Sequence, residues 1–317
     1  MTTRGKATRK KTSTTRKASA TSAVHSAIAL RAVGKRRHDL QQSIAADRKQ
    51  RADDYFKRVK PLPRTRALAL APPSFHILAE GDSWFDYPSP GGSVITHLGK
   101  LLKKADILNL AHAGDELRQM LSLAQRSEIE ERLRQGQRRL LPFDALLFSG
   151  GGNDIVGDQF YNWLQPFTPG ASAPDLIDTV RFGARLTMLE GGYRDLSDIR
   201  DRCSASTTIF VHGYDYAKPT GKGVCWFGPW LQPSLKARRI TDPQLKIDVV
   251  KEILVRFRTM LQTLAASLPN FVYVETQGLL PPTAKWWENE LRPTPRGFDK
   301  IAIAFRDTLV AHFPQLA

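Results

Sequence analysis

The sequence predicts an α/β fold: a central parallel sheet of about five strands between two layers of helices. Three observations carry this. Short apolar runs recur from residue 75 onward, and a segment of helix length follows each. Strand–helix alternation of this kind builds a parallel sheet covered on both faces. The charge is also divided unevenly. Residues 1–66 hold 19 of the 47 Lys and Arg but only 4 of the 31 Asp and Glu, which leaves the remainder nearly neutral. About 250 neutral residues suffice for one α/β core.

Residues 1–37 alternate Lys and Arg with Thr, Ser and Ala. With so little apolar surface to bury, they cannot offset their chain entropy and are expected to be disordered. Such an arm suits a polyanion, either nucleic acid or an anionic membrane surface, attracted through counterion release; a solubilising tail is the alternative. No aromatic residue precedes Tyr55, so no base-stacking platform interleaves the charges. Residues 39–60 are compatible with a charged helix. Pro61, Pro63, Pro72 and Pro73 then mark a linker, placing the expected border between a 1–66 extension and a 67–317 domain.

Strands are expected at Phe75–Glu80, Ile107–Ala111, Ala145–Ser149, Thr208–His212 and Phe271–Glu275. The helices between and after them are expected near 93–104, 115–139, 175–202, 243–267 and 297–312. Two long excursions, 155–174 and 213–242, interrupt the alternation. No apolar run approaches the roughly 18 residues of a spanning helix. Cys203 and Cys225 are too few for a disulfide framework. No apolar core follows the N-terminal charges, so a cytoplasmic, reducing location is expected.

Ligands of parallel sheets bind outside the carboxyl ends of the strands, and the unusual residues of this chain fall there. The first strand runs into Glu80-Gly81-Asp82-Ser83-Trp84 and the second into Asn109-Leu110-Ala111-His112-Ala113-Gly114-Asp115. The third runs into Gly150-Gly151-Gly152-Asn153-Asp154, and Asn289-Glu290-Leu291-Arg292-Pro293 lies near the C-terminus. In this order the four segments resemble the four blocks of the SGNH (GDSL-type) hydrolases, over roughly residues 75–313. The likeness is greatest to uncharacterised bacterial members with a His-Gly-Tyr-Asp-Tyr segment (here 212–216) and a Gly-Pro-Trp-Leu segment (here 228–231).

The resemblance implies a flavodoxin-like α/β/α sandwich and a serine ester hydrolase acting on a small acyl or acetyl ester. It implies Ser83 as the nucleophile that forms the acyl-enzyme. The Ser83 and Gly114 backbone N–H groups and the Asn153 side chain would form the oxyanion hole, and no cofactor or metal is implied. Its fourth block, Asp-x-x-His, would supply the base and the carboxylate that orients it. Here those positions hold Asn289 and Arg292. A guanidinium offers no lone pair at neutral pH, so Arg292 cannot be the base.

Several readings follow. His212 or His112, both at strand ends, takes over as base, with Glu288 or Glu290 as the orienting carboxylate. Alternatively, the chain is a catalytically impaired binding protein with an anion pocket at Arg292. A third is that the fourth block is out of register, or that the change from His to Arg is peculiar to this copy. Trp226 and Trp230, with Trp286 and Trp287, are candidate apolar walls for an acyl group. Asp82, Asp86, Asp154 and Asp158 do not match a calcium-loop pattern and have no histidine cluster beside them.

Overall fold

The computed structural model describes residues 35–36, 38–60, 75–87, 91–224 and 228–317. The expectations for residues 1–34, for the proline-rich stretch 61–74 and for Trp226 lie outside the described residues. The chain divides into two compact units, Met1–Gln50 and Arg51–Ala317. In the first, residues 38–50 are helical.

The second unit begins with a short helix, α1 (51–58). Ala52, Tyr55, Phe56 and Val59 recur at helical spacing and are buried. The Tyr55 ring stacks on Phe143 with centroids 5.7 Å apart, and its hydroxyl lies 3.0 Å from His76 Nδ1. This apolar stripe, inconspicuous among charged neighbours, packs into the hydrophobic core although it precedes the expected border at residue 66.

The sheet contains β1 (Phe75–Gly81), β2 (Ala105–Asn109), β3 (Ala145–Ser149), β4 (Thr208–His212) and β5 (Phe271–Val274) in the order β2-β1-β3-β4-β5. Every pairing is parallel. All residues of the three inner strands, β1, β3 and β4, are buried, as strands covered on both faces must be. The main helices are α2 (Val94–Leu101), α4 (Leu123–Arg138), α6 (Thr179–Ser204), α8 (Pro243–Ser267) and α9 (Pro295–His312). α2 packs against α9, while α4 packs on α6 and α6 on α8. This is the expected five-stranded sandwich.

Two local expectations shift. β2 starts at Ala105 because Ala105 and Asp106 pair with Phe75 and His76. The helix expected over 115–139 is two helices, α3 (Leu117–Met120) and α4. A capping box between Glu116 and Gln119 starts the first, and Ser122 begins the second. Short helices on the loops include α5 (Gly152–Ile155), shortly after β3, α7 (Gln232–Ala237) and a 3₁₀ turn over Gly157–Trp163. Among the described residues, no helix is long and apolar enough to cross a membrane.

Candidate active site

Ser83 sits on a turn just beyond the end of β1. Gly81 makes this turn possible, since a Cβ there would lie 2.7 Å from Ser149 Cβ and 2.8 Å from its carbonyl oxygen on β3. The turn is held from several sides. Asp82 Oδ1 accepts from Trp84 N at 3.0 Å, Asn109 Nδ2 and Ser93 Oγ both donate to Phe85 O, and Trp84 Nε1 donates to Leu291 O at 3.2 Å. The last bond joins the Ser83 turn to the fourth block. A cleft of about 420 Å³, its open mouth included, lies over this turn.

Ser83 and Asn153 both line that cleft, although they come from different strand ends. Asn153 Nδ2 donates to Asp115 O at 2.9 Å, which fastens the turn after β3 to the turn after β2. Gly114 stands in that second turn at φ 93°, a conformation that glycine adopts without strain. Asp154 Oδ2 accepts from Leu117 N at 2.6 Å and further anchors Asn153. Ile155, Val156, Ala217, Leu254 and Leu291 supply an apolar wall.

Beneath Ser83 lies a buried polar chain. His212 is fully buried. Its Nδ1 accepts from Tyr214 N at 3.2 Å, which places the ring proton on Nε2, 2.9 Å from Ser149 Oγ. Ser149 Oγ in turn donates to Asp82 Oδ1 at 2.9 Å, and the Tyr214 hydroxyl donates to Asp82 Oδ2 at 2.7 Å. Burial lowers the His212 pKa to about 3. Burial also raises that of Asp82 to about 6, against the hydrogen bonds from Tyr214, Trp84 and Ser149.

This geometry corrects the reading of His212 as the base. Both of its nitrogens are engaged inside the core, between Phe85 and Trp84, and it does not line the cleft. Arg292 is corrected as an anion pocket as well. Its side chain is 5% exposed, it pairs with Glu288 at 2.8 Å, and its guanidinium carbon lies over the Tyr87 ring, 3.3 Å from the centroid. Desolvation lowers its pKa, and it does not line the cleft. Asn289 caps the same turn, its Oδ1 accepting from Leu291 N and Arg292 N.

Glu290 is fully buried and orients no imidazole. Its carboxylate accepts from four backbone N–H groups of the 213–242 excursion: Gly221, Trp230, Leu231 and Gln232. The Trp230 backbone is thus held in this clamp, and the residue does not line the cleft. The histidines left at the strand ends reduce to His112. Its side chain is one-third exposed, its Nδ1 lies 3.5 Å from Asp115 Oδ1, and its N–H donates to Gly81 O at 2.9 Å. Among the described residues, no three His, Cys, Asp or Glu side chains are grouped to hold a metal ion.

The polar chain of Asp82, Ser149 and Tyr214 was not foreseen from sequence. The signals were present, since Asp82 and Tyr214 each lie within a noted segment, but separations of 67 and 132 residues hid their meeting.

No protein-family model matches the chain, and neither does any curated protein. Solved structures to which it is similar include lipases and carbohydrate esterases. The lipase Lip_vut3 from goat rumen metagenome is 15% identical and covers 74% of this chain and 96% of its own, with a TM-score of 0.47. A family 3 carbohydrate esterase of Clostridium thermocellum is 18% identical, covering 77% and 98%, with a TM-score of 0.46. An extracellular lipase of Streptomyces rimosus is 17% identical, covering 74% and 99%, with a TM-score of 0.45.

Proposed function

We propose that this chain is a carboxylic-ester hydrolase of the SGNH type acting on a small acyl ester through Ser83. One observation carries the reading: a serine on the tight turn after β1, an inner strand, and the Asn153 amide, from the end of β3, line the same cleft with an apolar wall. Ser83 Oγ attacks the ester carbonyl, the C–O bond to the alcohol breaks, and water later releases the acid. Asn153 Nδ2 and the Ser83 and Gly114 N–H groups receive the charge on the tetrahedral oxygen. One such donor is typically worth about 3–4 kcal/mol.

The proton acceptor is assigned to His112, with Asp115 as its orienting carboxylate. Arg292 has no lone pair and His212 is sealed in the core; His112 does not line the cleft either, but the hydrogen bond from its backbone N–H to Gly81 O holds it beside the strand that leads to Ser83. The 3.5 Å separation from Asp115 is longer than a good hydrogen bond and would tighten with substrate bound. Hydrolysis of p-nitrophenyl acetate tests both parts. Ser83→Ala is expected to abolish turnover and His112→Ala to lower kcat about 100-fold. Wild-type turnover equal to that of Ser83→Ala would overturn the hydrolase, while full activity in His112→Ala would overturn the base alone. The basic arm is read separately as a non-specific polyanion-binding segment, supported by its 11 Lys and Arg and no Asp or Glu in residues 1–37.

A further inference from the structure

We propose that Tyr214 is a positioning residue for this site, its hydroxyl tying the turn that carries Ser83 to the turn that carries Asn153. The inference rests on the hydrolase reading. The phenol has two partners on two different strand ends. It donates to Asp82 Oδ2 at 2.7 Å, one residue before Ser83, and accepts from Gly152 N at 3.0 Å, one residue before Asn153. A hydroxyl can do both at once, whereas a phenyl ring can do neither.

The surroundings are built for this placement. Tyr214 holds φ 60°, an outlier for a bulky residue. Such a conformation persists only where its neighbours over-determine it. Here Tyr214 N donates to His212 Nδ1 at 3.2 Å, and Tyr214 O accepts from Thr276 Oγ1 at 2.7 Å. Trp84 meets the ring edge-on at 5.2 Å and Phe257 stacks on it at 6.1 Å. Gly152 leaves the room, since a Cβ there would lie 2.6 Å from Tyr214 Cζ. Tyr214 also lines the cleft. Two reacting groups from separate strands lose rate steeply when displaced by as little as 1 Å, so a bond spanning both turns bears on turnover directly.

The tie has a signature independent of catalysis. Asp82, on the turn after β1, is faced by Tyr214 from the loop after β4, by Ser149 from β3 with His212 behind it, by Asp154 from α5 and by Tyr193 from α6. The Tyr214 bond lowers the Asp82 pKa against burial. Tyr214→Phe is therefore expected to raise the Asp82 pKa, followed by carboxyl-carbon NMR, and to lower kcat for p-nitrophenyl acetate at least tenfold with KM within twofold. A merely structural loss would move the thermal midpoint and leave the Asp82 titration in place.

On an Asp82→Asn background the same change is expected to cost less than twofold, because the two residues act through one bond. An equal loss on both backgrounds, or an unchanged kcat and Asp82 titration in Tyr214→Phe, overturns the proposal. If Tyr214→Phe does not fold, Asp82→Asn alone tests the bond from its other end, and a kcat equal to wild type overturns the tie. Absence of ester turnover in the wild type overturns the hydrolase reading instead. The Asp82 titration then decides the tie by itself.

Discussion

At His212 a single imidazole shows how burial decides chemistry. At a strand end in the sequence it resembles a base; inside the fold it is a neutral core residue with a pKa lowered to about 3. Because the unfolded chain binds a proton at this site below about pH 6.5 and the folded chain does not, its linkage has a definite sign. The stability that neutral His212 contributes is complete above pH 6.5 and is lost as pH falls toward 3. Urea unfolding of His212→Gln against wild type is expected to show a cost that is smallest at pH 4. That cost should grow by at most about 1.4 kcal/mol per pH unit and level off above pH 6.5. Asp82 carries the opposite sign: its raised pKa makes charging it unfavourable as pH rises from about 4 to 6.

Between the elements, Glu290 joins the fourth block to the excursion after β4. Four backbone N–H groups converge on its carboxylate at 2.6–3.1 Å, and its own carbonyl accepts from Lys218 N. Leu291, the next residue, and Ala217, just before Lys218, both line the cleft, so this clamp sets one wall of the site. Glu290→Ala orphans several donors, each costing about 1–3 kcal/mol where it is buried. The expected loss is at least about 3 kcal/mol in urea unfolding, with Glu290→Gln losing less because it keeps an acceptor. Asp215 does similar work, accepting from Tyr216 N, Gly278 N and Leu280 N. Sequence shows the elements well: β3 and β4 lie where their apolar runs predict, and α8 spans the expected residues 243–267. The clamps are not legible, because one carboxylate takes its donors from segments some 58 to 69 residues away.

For the molecule as a whole, the uneven charge is the dominant long-range feature. The arm predicts binding to mixed-sequence DNA that weakens about 10³-fold or more between 50 and 200 mM salt, and filter or anisotropy titrations of the full chain read this directly. A chain lacking residues 1–34 is expected to lose that binding and keep its ester turnover. Equal DNA affinity in the two would remove the polyanion role.

By itself the sequence determined the sheet, its parallel sense, the helices around it and the strand ends where the candidate residues gather. Those follow from local apolar periodicity and turn residues. The four segments also placed Ser83 and Asn153 on one rim before any contact was known. Only the tertiary structure decided the protonation and reach of the candidates. His212 is neutral because neighbours far along the chain enclose it, Arg292 is unavailable because Tyr87 and Glu288 cover it, and Tyr214 reaches two turns at once. Desolvation and hydrogen bonding depend on what surrounds a group in space, and linear spacing does not encode that.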